Sequence, residues 1–207
     1  DLSSLNRIDN YRYNSQTGEV GQFYDAPEFS PDGLTLFINN YADNSRSGTT
    51  QYALKNPYDF TGMTYVTTWI GQFYLSGAVN ARIASVALNP DGTKLYELDL
   101  NGSIYEHDLK IPWNLSSVRR TDPKYYVLAD RQTQSVGFSN DGSRMYILGG
   151  SDGVIYEHET TDPDVTYDVR TMGYIGVTTT TDTTTNTRDF TFNNTGNKLY
   201  TLSESTD

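Results

Sequence analysis

Four stretches of this chain carry one and the same hairpin, and that repetition limits the fold more than any other feature. PEFSPDGLTLFI from Pro27, VALNPDGTKLYEL from Val86, VGFSNDGSRMYIL from Val136 and FTFNNTGNKLYTL from Phe190 align without gaps across their centres. Their turn glycines are Gly33, Gly92, Gly142 and Gly196, spaced by 59, 50 and 54 residues. Units of this period each form one supersecondary element and bury their apolar faces by stacking on their neighbours.

Each column of the repeat has a physical reading. Four positions before the glycine stands Phe29, Leu88, Phe138 or Phe192, at the end of a run that alternates in strand fashion. Asp-Gly or Thr-Gly follows, supplying the positive φ that a turn between paired strands needs. A second strand then carries Leu36, Leu95, Met145 or Leu199, and next to it a ring, Phe37, Tyr96, Tyr146 or Tyr200.

The rest of the unit repeats more loosely. Gly102-Ser103-Ile104-Tyr105-Glu106-His107 matches Gly153-Val154-Ile155-Tyr156-Glu157-His158, a turn and a third strand. Ile111-Pro112-Trp113-Asn114-Leu115 matches Asn56-Pro57-Tyr58-Asp59-Phe60, a proline bend with an aromatic anchor. Fourth strands are expected at Tyr125-Tyr126-Val127-Leu128 and Met63-Thr64-Tyr65-Val66, and GQFY recurs at 21–24 and 71–74. Four short antiparallel strands in about 50 residues define a propeller blade, so the expected fold is all-β, a β-propeller of four-stranded antiparallel blades. The expected division is one domain over 1–207, with blades at 27–80, 81–130 and 131–187. A fourth blade starts at 188–207 and takes its outer strand from 1–26.

Composition agrees. Apolar residues make up 36%, Tyr (17) outnumbers Phe (8), and polar turn formers fill much of the rest, which suits short strands rather than long amphipathic helices. The net charge of −11 leaves no basic footprint for nucleic acid and opposes binding to an anionic membrane. No apolar run approaches the roughly 20 residues that span a bilayer, and the absence of cysteine excludes disulfides, thiolate metal sites and cysteine catalysis.

Asp1-Leu2-Ser3-Ser4-Leu5 matches Asn114-Leu115-Ser116-Ser117-Val118, so the fourth blade is expected to be split between the two ends. The stretch equivalent to Ile104 through Trp113 is then missing from it. Three readings of that gap stay open: a window of a longer chain with further blades, a strand of the same protein that is not represented, or a strand donated by a neighbouring molecule. The opening residues are no signal peptide, so any targeting segment is expected to be removed or to lie outside this sequence.

A strand ending in FSxDG, then xxLY, then a GxIYxYxL-like strand resembles the blades of tryptophan-aspartate, TolB-type and surface-layer propellers. The PW-(N/D)-L-S-S tail is similar to propeller repeats of secreted, phage and environmental microbial proteins. The third strand lacks the Trp-Asp pair of the tryptophan-aspartate subtype. The resemblance implies the fold; propellers serve as binding modules, scaffolds and several unrelated enzymes.

Candidate chemistry is thin. His107 and His158 share one repeat position and are expected on different blades, as are Glu106 and Glu157, which argues against a metal pair or a glycosidase-like carboxylate pair. Asp32, Asp91 and Asp141 read as turn caps. The acidic loops Asp99-Leu100-Asn101-Gly102 and Asp162-Pro163-Asp164 have oxygen ligands for calcium but no EF-hand spacing. No nucleophile elbow, phosphate-cradling loop or HExxH is present.

Asn101, Asn114 and Asn193 are candidate glycosylation sites, and Thr178 to Thr187 carries eight threonines, as a connector or as an O-glycosylated loop. Tyr11, Tyr13, Tyr24, Tyr41 and Tyr74 lie outside the core columns and are candidate contact residues. The expectation is a non-enzymatic structural or binding module of an extracellular or virion assembly (a fibre subunit, phage tail or adhesin part), without cofactor or metal. Its partners would be copies of itself or neighbouring subunits, together with glycans, and it would neither bind nucleic acid nor insert into a membrane. The alternatives are a monomeric secreted ligand-binding propeller and a propeller hydrolase or lyase.

Overall fold

The computed structural model describes residues 27–41, 47–70, 83–119, 124–127, 133–149, 153–179 and 186–204. The expected outer strand at 1–26, both GQFY motifs, Tyr11, Tyr13, Tyr24 and Tyr74, the side chain of Tyr41 and the middle of the threonine run lie outside the described residues.

The described residues form four antiparallel meanders. The first sheet runs β1 (Glu28–Phe29), β2 (Thr35–Tyr41), β3 (Ser47–Ala53) and β4 (Thr64–Ile70). The second runs β5 (Ile83–Leu88), β6 (Lys94–Asp99), β7 (Ser103–Asp108) and β8 (Lys124–Val127). The third runs β9 (Thr133–Phe138), β10 (Arg144–Gly149), β11 (Val154–Thr160) and β12 (Met172–Thr179), and the fourth pairs β13 (Asn186–Phe192) with β14 (Leu199–Glu204). No helix among the described residues is long and apolar enough to cross a membrane.

The repeated hairpin keeps one register in all four sheets: Phe29 pairs with Leu36, Leu88 with Leu95, Phe138 with Met145 and Phe192 with Leu199. At the turns, φ is 68° at Gly33, 70° at Gly92, 69° at Gly142 and 67° at Gly196. The turn aspartates cap their own loops as expected. The N–H of Leu34 donates to Asp32 Oδ1 at 3.0 Å, that of Thr93 to Asp91 at 3.0 Å and that of Ser143 to Asp141 at 3.1 Å.

In the first three sheets an aromatic residue from the link between the third and fourth strands lies on the turn glycine. Tyr58, Trp113 and Tyr167 cover Gly33, Gly92 and Gly142, so that a β-carbon on any of these glycines would overlap the ring. Each aromatic residue donates its N–H to the carbonyl of its glycine, at 2.9, 2.9 and 3.1 Å. These three residues themselves have positive φ, of 58°, 60° and 55°. That conformation costs a non-glycine residue about 1–2 kcal/mol, so the stack and the hydrogen bond must hold it.

Burial is uneven among the strands. β5 is buried at all six positions because neighbouring sheets pack on both of its faces, whereas most of β12 is exposed. Adjacent sheets join through their second-strand rings: Phe37 meets Trp113 at 6.2 Å, Tyr96 donates its hydroxyl to the Tyr167 carbonyl at 2.7 Å, and Tyr146 meets Phe192 at 4.8 Å. Tyr200, the fourth member of that column, is 53% exposed while Phe37 and Tyr96 are fully buried. No described sheet follows the fourth to cover it.

A second joint links the third strand of one sheet to a 3-10 turn of the next. Gln51 accepts the N–H of Leu115 at 2.8 Å and donates to the Trp113 carbonyl at 2.9 Å. Glu106, at the same repeat position, accepts the N–H of Val169 at 2.9 Å and pairs with Lys94 at 2.9 Å. Asn114 and Asp168 cap these turns.

Gly196 has the same φ as Gly92 but no ring on it. Gly196→Ala is expected to cost about 1 kcal/mol from backbone strain alone, and Gly92→Ala a further 1–3 kcal/mol, roughly, from overlap with Trp113. Urea denaturation of both variants checks this, and equal losses would show that the stack gives at little cost.

Candidate functional site

The ends of the four inner strands converge on one cavity of about 370 Å³. Each sheet contributes the residue before its Phe/Leu column: Glu28, Ala87, Gly137 and Thr191. The same repeat position, filled by Glu, Ala, Gly and Thr, therefore borders one space in all four sheets. Phe29, Phe138 and Phe192 add rings, and Tyr58, Trp113 and Tyr167, the residues stacked on the turn glycines, also line it.

Glu28 dominates the electrostatics. Among the described residues no hydrogen bond or ion pair reaches its carboxyl group. Burial raises its pKa from 4.5 to about 7, and the negative charge of Asp189 on β13 adds to the rise. Asp189 is itself raised, again by burial, against the hydrogen bond that Ser135 donates to it at 2.6 Å. Among the described residues no lysine, arginine or histidine lines the cavity.

The residues singled out from the sequence lie elsewhere. His107 and His158 are buried on separate sheets, the second and the third. His107 Nε2 meets Glu97 Oε2 at 3.0 Å, and the other oxygen of Glu97 accepts from Thr49 at 3.0 Å. With Glu97 and His107 both sealed from solvent, this knot joins the first two sheets and gives no substrate access. Burial lowers the pKa of His158. Glu106 serves the sheet joint, and Glu157 accepts from Thr178 on its own sheet.

In the acidic loops, Asp99 accepts the N–H of Asn101 and Ser103, and Asp162 that of Asp164. Among the described residues no three His, Asp or Glu side chains gather as a metal set. Of the candidate glycosylation sites, Asn114 caps a 3-10 turn and Asn193 is tied to Thr195, Asn197 and the Lys198 N–H, while Asn101 is exposed.

Sequence reasoning missed Glu28, Asp189 and Tyr167. The first was readable, since one column of the alignment holds a lone charge among Ala, Gly and Thr. Tyr167 was hidden because its link, Thr161 to Asp168, has a different length and proline position from the two that were aligned.

No family model and no curated protein matches this sequence. Its structural likenesses are propellers. The β-propeller domain of Cps50 (Swd1) from Myceliophteria thermophila is 9% identical, with a TM-score of 0.56, over 86% of this chain and 51% of that one. A putative 6-phosphogluconolactonase from Bacteroides uniformis is 16% identical, with a TM-score of 0.52, over 84% and 48%. The periplasmic gluconolactonase PpgL of Pseudomonas aeruginosa is 16% identical, with a TM-score of 0.50, over 86% and 49%. The chain spans about half the length of these structures. At such identities the likeness defines a fold: this is an all-β protein of the β-propeller class. Its cavity holds Glu28 as the one carboxyl group among the described lining residues.

The raised pKa of Glu28 has a stability consequence. Between pH 4.5 and about 7 the folded chain holds a proton that the unfolded chain releases. Its contribution is therefore full at the acid end and is lost as pH rises through that window, by on the order of 3 kcal/mol. Glu28→Gln keeps the neutral form and is expected to flatten this decline. Urea midpoints of both proteins at pH 5 and pH 8 test it, and parallel declines would remove Glu28 as the source.

Proposed function

We propose that this chain is a non-enzymatic binding propeller that takes a small ligand into the axial cavity. The observation that carries the reading is the convergence of all four inner strands on one aromatic-walled space. Concave spaces where several elements converge, with aromatic walls and a few placed polar groups, are where small molecules bind. Binding is favoured over hydrolysis because glycoside cleavage needs two carboxylates facing the same space. Here Glu28 faces the cavity while Asp189 is turned to Ser135 outside its lining. The lactonases among the structural likenesses share the fold at low identity and lend the cavity no chemistry.

Thr191 is exposed and lines the cavity, so Thr191→Trp fills it without disturbing the core. A fragment screen by NMR is expected to shift the resonances of cavity residues in the natural protein and not in this variant. Hits that ignore the substitution would sink the reading.

A second reading, contact with copies of itself or neighbouring subunits, is favoured by the outer strands. β14 pairs only with β13 among the described residues and exposes Tyr200 and Leu202, and β12 exposes Tyr174, Ile175 and Val177. An open edge with apolar side chains is a template for strand addition. Sedimentation is expected to show concentration-dependent association that Leu202→Lys weakens, and a monomer at every concentration would retire this reading. A place at the extracellular or virion surface, a fibre or adhesin role, and glycan contacts rest on the resemblance of the repeats alone.

A further inference from the structure

The geometry points to a small organic cation, an ammonium group on a compact apolar body, as the ligand of the axial cavity. This inference rests on the cavity reading above and names its chemistry.

The argument begins with an imbalance. Glu28 brings a carboxyl group without a partner among the described residues to a cavity whose other three equivalent positions are Ala87, Gly137 and Thr191. From β13, Asp189 adds a second negative charge behind the wall; β5 and β9 contribute no titratable side chain to the lining, and the link residues contribute only the phenols of Tyr58 and Tyr167. Lys94 of the second sheet is already held by Glu106 and the Tyr167 carbonyl. Nothing in the described wall neutralises Glu28, and a buried carboxylate without a counter-charge is costly. A ligand bearing a positive charge removes that cost on binding, whereas a neutral or anionic ligand leaves or worsens it.

The walls select the kind of cation. Aromatic rings attract a cation to their faces and accept its apolar substituents, and the seven rings among the described lining residues come from every sheet. A hydrated metal ion gains little from such rings, and it would find one carboxyl group where calcium takes six to eight oxygens, roughly. An alkylammonium satisfies both features of the site: its charge meets Glu28 and its carbon body meets the rings.

Titrations with tetramethylammonium chloride, n-butylammonium chloride, the neutral isostere neopentyl alcohol, methyl β-glucopyranoside and calcium chloride test this at pH 8 and constant ionic strength. Calorimetry and NMR of the cavity residues serve as readouts. At least one ammonium salt is expected to saturate, with the neutral isostere and Glu28→Gln each weakening binding by about tenfold or more. Circular dichroism and the urea midpoint establish that the variant is folded. Neutral probes that bind as well as the ammonium salts, or affinity unchanged in Glu28→Gln, would overturn the cation and leave the cavity reading intact. Tighter binding of calcium or the glycoside would likewise overturn it in favour of that class. If no probe perturbs any cavity residue, the cavity reading itself falls.

Discussion

The contact on which the rest of this structure depends is an aromatic ring lying flat on a glycine. In three successive sheets the turn between the first two strands presents Gly33, Gly92 or Gly142, and the link between the last two strands lays Tyr58, Trp113 or Tyr167 over it. The glycine is needed twice, for its positive φ and for the space that a β-carbon would occupy. The ring residue accepts a strained backbone of its own, stabilised by the N–H bond to the glycine carbonyl. The inner hairpin and the outer link of each sheet are thereby fixed to one another. Each sheet becomes a rigid wedge before it meets its neighbour.

Rigid wedges can then share joints. The second-strand ring of one sheet packs on the next, and Gln51 or Glu106 reaches across to a backbone N–H. Buried polar groups that would otherwise weaken a core, Glu97 with His107 and Thr49 above all, are satisfied across the boundary between sheets. The polarity of this core is a consequence of how sheets are matched, since a hydrogen bond that spans two wedges fixes their relative register in a way that apolar packing does not.

The repeat was legible because its turn chemistry is local. Asp-Gly and the alternating columns fix the hairpin register within a dozen residues, and all four hairpins formed where the alignment placed them. The position of the two histidines on separate sheets followed from the same alignment. The cavity was not legible in that way. Glu28, Ala87, Gly137 and Thr191 stand at least 50 residues apart in sequence, and only the convergence of the inner strands makes them one surface. Tyr200 shows the converse limit. Its column predicts a core ring, yet a ring is core only if a further sheet lies against it.

The column that faces the cavity separates two jobs that most proteins must reconcile. The glycine, its ring and the two strand columns beside it carry the fold, and they are nearly the same in each unit. The position one residue earlier differs completely among the four units, although Ala87 is still part of the core and a β-carbon at Gly137 would press on the Phe190 ring at 3.1 Å. A scaffold of this kind can exchange its ligand by single substitutions where that position is not packed, at Glu28 and Thr191 here, each bordering the same space from its own side. In that sense the repeat works as a socket whose open teeth can be cut apart from the fold, and this chain has charged one of them.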